Sequence, residues 1–91
     1  MQVKLTPEEV TARWLDRTLV IHGSGHEDGV ADITIERLAD EIWPPEFEVV
    51  GRQSPAIGMF PYAVTRTFEL AERPDEILIA TSSGEERVPV H

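Results

Sequence analysis

The chain of 91 residues contains no cysteine, which excludes disulfide staples, thiolate nucleophiles and cysteine-ligated zinc. Basic residues are scarce. Eight Lys and Arg stand against seventeen Asp and Glu, a formal charge of −9 with the three histidines neutral. So acidic a surface repels a phosphate backbone, so direct nucleic-acid binding is not expected. Docking on an anionic membrane is not expected either. No apolar run approaches the roughly 20 residues of a spanning helix. The opening MQVKLTPEEV lacks the basic start and apolar middle of a signal peptide, so the expected location is the cytoplasm. Internal repeats, low-complexity tracts and linkers are also missing. What is there is 41% hydrophobic and 27% charged, the composition of one soluble globular domain over residues 1–91.

Two segments read as helices. Thr6-Pro7-Glu8-Glu9 offers an N-cap hydroxyl, a proline at the first helical position and a glutamate at the third. Val10 and Trp14 follow at helical spacing, which predicts a helix from Pro7 to about Asp16. From Asp32 to Trp43 the period returns: Ile35, Leu38, Ala39 and Ile42 form an i, i+3, i+4, i+7 stripe, stopped by Pro44-Pro45. Strands are expected at Val3–Leu5, at Thr18–His22, from Phe47 to Arg52, and from Glu76 to Thr81. Val64, Arg66, Phe68 and Leu70 share one face if extended, and their strand should form an antiparallel hairpin with Glu76–Thr81. Gly23 to Gly29 reads as a loop, as does Ser54 to Tyr62. Arg87 to Val90 adds an edge strand carrying Pro89. The expected fold class is therefore α+β, with two early helices packed on one face of a mainly antiparallel sheet of three to five short strands. The expected core is Trp14, Leu19, Ile21, Ile35, Leu38, Ile42, Val49, Phe68, Leu70 and Leu78.

Catalytic chemistry is poorly represented. Leu19 to His26, LVIHGSGH, resembles the strand and His-Gly turn that supplies an oxyanion donor in α/β-hydrolases. That family also needs a Gly-x-Ser-x-Gly elbow, which this chain lacks. His22 and His26, with Glu27 and Asp28 adjacent, could serve a metal-dependent enzyme or sensor if their loop curled around an ion. The glycines miss the Walker spacing, and Glu27 and Asp28 would repel a phosphate. Pro44-Pro45 stands where a helix-turn-helix needs its turn and basic helix. No enzyme, catalytic residue, metal site or cofactor is expected.

Charge placement is more informative. Glu27, Asp28, Asp32, Glu36, Asp40, Glu41, Glu46 and Glu48 face only Arg37 between positions 27 and 48, eight acids to one base. From Val49 to Phe68 there is no acid, and Arg52 and Arg66 are the bases. On a helix Asp32, Glu36 and Asp40 would form a carboxylate row repeating about every 6 Å. Such a row imitates the spaced phosphates of a nucleic acid, or it is a solvated face that keeps the chain soluble. The acid-free stretch carries Ile57, Met59, Phe60 and Tyr62, either a lid on the sheet or an apolar anchor for a partner. The expectation is a non-enzymatic acidic binding protein engaging another protein through Asp32, Glu36, Asp40, Glu41, Phe60 and Tyr62. Its sharper form is an inhibitor that mimics nucleic acid and blocks a nuclease or phage-defence complex, as anti-CRISPR proteins of similar size and charge do. The alternative is a structural subunit of a virion or other assembly, held through the apolar loop and the last strand.

Overall fold

The computed structural model describes residues 2–39, 41–55 and 57–91. Among these there is no helix, and the α+β expectation is corrected to an all-β fold of eight strands. They are β1 (Gln2–Leu5), β2 (Glu9–Leu15), β3 (Thr18–Asp28), β4 (Val30–Arg37), β5 (Glu46–Gln53), β6 (Met59–Glu69), β7 (Glu76–Thr81) and β8 (Gly84–Pro89).

Both helix assignments fail for the same reason. A spacing of four residues puts two side chains on one face of a helix and also on one face of a strand. Val10 and Trp14 are such a pair, and Ala12 between them is fully buried while Glu9, Thr11 and Arg13 are exposed. That alternation has period two. Thr6 to Glu9 is therefore not a helix cap. The chain continues from it into β2, which pairs with β3 through a two-residue turn at Asp16 and Arg17, whose φ angles are 50° and 63°. Two successive left-handed residues make the hairpin turn whose twist suits the strands. Over the second segment, Val30, Ile33, Thr34 and Ile35 favour extended backbone because they are β-branched. They form β4, which supplies one whole edge of β5 with hydrogen-bonding partners. Leu38 and Ile42 then fall in the connection after β4, 42% and 43% exposed, instead of in the core.

The segment from Gly23 to Asp28 is strand, not loop, and makes β3 eleven residues long. Its glycines face inward. Gly25 lies under Tyr62, whose Oη and Cε1 would stand 2.9 and 3.1 Å from a Cβ there, so its bare backbone leaves room for the ring. β3 and β4 together run antiparallel to β6 and β5, in the order β3 against β6 and β4 against β5. Gly29, at φ 72°, is the corner between β3 and β4. Its carbonyl accepts from the Ser54 N–H at 2.7 Å.

This bent ribbon spans two sheets. One holds β1, β4, β5, β7 and β8, and the other holds β2, β3 and β6. β4 lies along one edge of β5, while β1 and β7 share the other edge end to end, β7 running parallel. The expected hairpin of β6 with β7 does not form, because β6 pairs with β3 and β7 pairs with β5 and β8. The last residues close the far side. The Trp14 N–H donates to the His91 carbonyl at 2.8 Å, and the His91 N–H to the Ala12 carbonyl at 3.0 Å.

Both sheets feed one core of Leu19, Ile21, Ile35, Phe47, Val49, Ile77 and Ile79, all fully buried. Each such side chain contributes about 1.5–3 kcal/mol by leaving water. Phe47 and Phe68 meet across it with ring centroids 4.7 Å apart, tilted by 52°. Of the expected core, Leu19, Ile21, Ile35, Val49 and Leu70 are buried, and Trp14, Phe68 and Leu78 are half-buried.

Truncation separates the two readings of the second segment. Ile77→Ala should lower stability by about 2–5 kcal/mol in urea unfolding, the usual result for a fully buried isoleucine. Leu38→Ala and Ile42→Ala should each cost about 1 kcal/mol or less, whereas a helix packed through that stripe would make all three severe.

Candidate functional site: a carboxylate face on the larger sheet

In β5 the odd residues Phe47 and Val49 point into the core, so Glu46, Glu48 and Arg52 stand on the outer face. Register brings other acids beside them. Glu36 of β4 lies directly opposite Glu48, Glu48 is level with Ala80 of β7, and Ala80 is opposite Glu85 of β8. A single row of residues thus crosses four strands as Glu, Glu, Ala, Glu. At about 4.8 Å per strand it covers about 15 Å. Ala80 has no side chain long enough to fill its place, and Glu46 reaches the Glu85 carboxyl there. Sharing a proton with Glu85 raises the pKa of Glu46 above its ordinary value, and partial burial and the Glu85 and Glu48 charges add to this. Lys4 opposes the shift. Its Nζ lies 3.7 Å from Glu48 Oε2.

Asp32 and Glu36 still share a face, now as members of a strand. Asp32 occupies an irregularity between Ala31 and Thr34 with φ 52°, a conformation that aspartate tolerates better than most residues. It pairs with Arg52, and the Gln2 amide donates to Glu36 Oε2 at 3.4 Å. Gln2, Asp32, Glu36, Val50 and Arg52 border a shallow groove of about 240 Å³ beside the carboxylate row. The helical row of Asp32, Glu36 and Asp40 is therefore replaced by a cross-strand row of different membership. Asp40 lies outside the described residues, and Glu41 is exposed in the connection between β4 and β5. From the sequence, Glu46 and Glu48 enter only the count of acids and not the expected docking residues, and Glu85 does not enter at all. The alternation of Glu46 and Glu48 with Phe47 and Val49 is the signal for two of them.

Phe60 and Tyr62 part company. Phe60 is 56% exposed, with Ile57 at 91% and Met59 at 67%, so this stretch is not folded under as a lid. Tyr62 packs against the core. Its Oη is enclosed without a hydrogen-bond partner, and burial, then Glu27 and Glu8, raise its pKa.

His22 and His26 do not form a metal centre. Four residues apart on a strand, they sit about 13 Å from each other along it. The His22 Nδ1 is 2.8 Å from Thr65 Oγ1, and the His26 Nδ1 is 2.8 Å from Glu8 Oε2. Among the described residues no group of three or more His, Asp or Glu could hold an ion, and no helix is long and apolar enough to cross a membrane.

Comparison with known proteins found no matching family model, no matching curated protein and no matching solved structure.

The Glu46–Glu85 contact has a definite pH signature. A raised carboxyl pKa means the folded chain holds the proton more tightly than the unfolded chain, so this pair favours folding as pH falls through that value and opposes it as pH rises. Glu46→Gln should raise the urea midpoint at pH 7 and flatten the rise in midpoint between neutral and mildly acidic pH. An unchanged profile would show that the two carboxyls do not interact.

Proposed function

We propose that this chain is a non-enzymatic acidic binding protein whose carboxylate face docks on a basic surface of another protein. The observation that carries the reading is Glu36 directly opposite Glu48 in register. Like charges facing each other across strands destabilise a sheet, and together with Glu46 against Glu85 they make a face that gains when cations arrive from outside. A row of carboxylates on a rigid sheet presents closely spaced negative charge without the entropy cost of ordering a loop. A protein built to grip nucleic acid offers the complementary surface. In its sharper form the chain is an inhibitor that occupies the nucleic-acid groove of a nuclease or phage-defence complex. Opposite charges would steer association, and salt would weaken it.

A second reading, a structural subunit of a larger assembly, is favoured by the exposure of Ile57, Met59 and Phe60. There the apolar stretch carries the contact.

The test is capture from a nuclease-treated lysate with the chain and with a Glu36→Lys, Glu48→Lys, Glu85→Lys variant as baits. The expected outcome is a partner held by the parent, released by moderate salt and by added duplex DNA, and missed by the variant. A partner retained by the variant overturns the acidic reading. If Phe60→Ser then releases it, the subunit reading takes its place.

A further inference from the structure

We infer that two copies of this chain associate through β6, edge to edge and antiparallel, joining their smaller sheets into one continuous six-stranded sheet. The inference does not rest on the carboxylate face.

β6 is eleven residues long and pairs only with β3. Among the described residues nothing pairs with its other edge. Hydrogen bonding fixes which groups that edge presents. The Leu70 N–H donates to the Arg17 carbonyl, and the β3–β6 register is unbroken. Even-numbered residues of β6 therefore bond to β3, and Met59, Pro61, Ala63, Thr65, Thr67 and Glu69 turn their backbone groups outward. Pro61 falls in the outward set, where its missing N–H costs the monomer nothing. Edges of this length are ordinarily guarded by lysines, prolines, bulges or a covering element. Here Pro61 guards the start of the strand, and the other such device is Arg66, whose Nη1 donates to the Ile35 carbonyl at 2.7 Å. That bond ties Arg66 to one carbonyl of β4, and among the described residues no strand pairs with the outward N–H groups of Ala63, Thr65, Thr67 and Glu69.

Charge selects a second copy as the occupant. A chain of net charge −9 repels its own kind almost everywhere, but β6 carries no acid before Glu69. A two-fold axis at Val64, the midpoint of the strand, sets Phe60 opposite Phe68, Tyr62 opposite Arg66 and Val64 opposite its own copy. On the outer face Ala63 meets Thr65, Met59 meets Glu69, and Pro61 meets Thr67, the one pair that lacks an N–H. No like charges face each other. The row of aromatic, cationic and β-branched pairs is the kind that stabilises neighbouring strands. Phe60, 56% exposed in the single chain, is covered by this arrangement.

The two copies repel through their net charge, so salt should strengthen the dimer by screening. This is the opposite sign to the partner binding proposed above, and the two ideas can fail separately. Sedimentation of the full chain over a range of concentrations should give a dimer mass that grows at higher salt. Ala63→Pro adds a second outward proline, now beside the two-fold axis, and removes a central N–H that the monomer does not use, so it should weaken the dimer several-fold while leaving thermal unfolding of the monomer in place. Because the chain has no cysteine, a single Val64→Cys can form a disulfide only with a second copy. It should oxidise to a covalent dimer, whereas Ser83→Cys in the turn before β8 should not. Monomer mass at every concentration and salt overturns the proposal. So does a dimer as tight in Ala63→Pro as in the parent, or a Val64→Cys chain that oxidises no faster than Ser83→Cys.

Discussion

The fold depends on one bent ribbon, in which β3 and β4 are held by backbone hydrogen bonds against β6 and β5. Because the ribbon turns at Gly29, its two halves belong to different sheets, and Ile21 and Ile35 of the same continuous run meet Phe47 and Val49 in one interior. The remaining strands build outward from its edges: β2 on β3, β1 and β7 on β5, and β8 on β7. A residue with a side chain at Gly29 would have to adopt a left-handed conformation at the corner where the sheets part. The carboxylate face and the open edge of β6 both follow from this ribbon, the first on the outside of one half and the second along the margin of the other.

How far the sequence reveals this differs by segment. Where apolar residues crowd at short range, as in Thr18–His22 and Glu76–Thr81, extended structure is legible at once. So is the strand from Phe47 to Arg52, whose acids and apolar residues alternate. Val10 with Trp14, and Ile35 with Leu38 and Ile42, are a harder case, because four-residue spacing serves both regular structures and the local cap and proline signals favour helix. Tertiary pairing overrides them. β5 has hydrogen-bonding groups on both edges, and β4 is what satisfies one of them. The glycines of β3 mislead in another way. Gly25 reads as a loop residue until the ring of Tyr62 is seen lying over it.

The acidic character of the site was legible, but its geometry was not. Counting charges between positions 27 and 48 isolates the segment that supplies Glu36, Glu46 and Glu48 to the carboxylate face. Its neighbours Glu48 and Glu85 come from strands that meet only through a parallel pairing of β5 with β7, a long-range fact that no local spacing encodes. Segregation of charge by position also became segregation by surface. Asp32, Glu36, Glu46 and Glu48 stand on the outer face of one sheet, and the acid-free stretch supplies the edge strand of the other.

The hydrogen bonds between His91 and β2 carry a consequence for how the chain acquires its structure. Residues 12 and 14 wait for residue 91, and β1 waits for β5. Contacts of such sequence separation slow folding, because long loops must close before they are rewarded. A chain still emerging from the ribosome can form the β2–β3 hairpin and the ribbon. Leu19 and Ile21 then lie on a surface whose cover is missing until Ile77, Ile79, Val88 and Val90 join the core. Completion of the fold therefore waits for residue 91 to be made, and in that interval the high negative charge keeps partly folded copies apart.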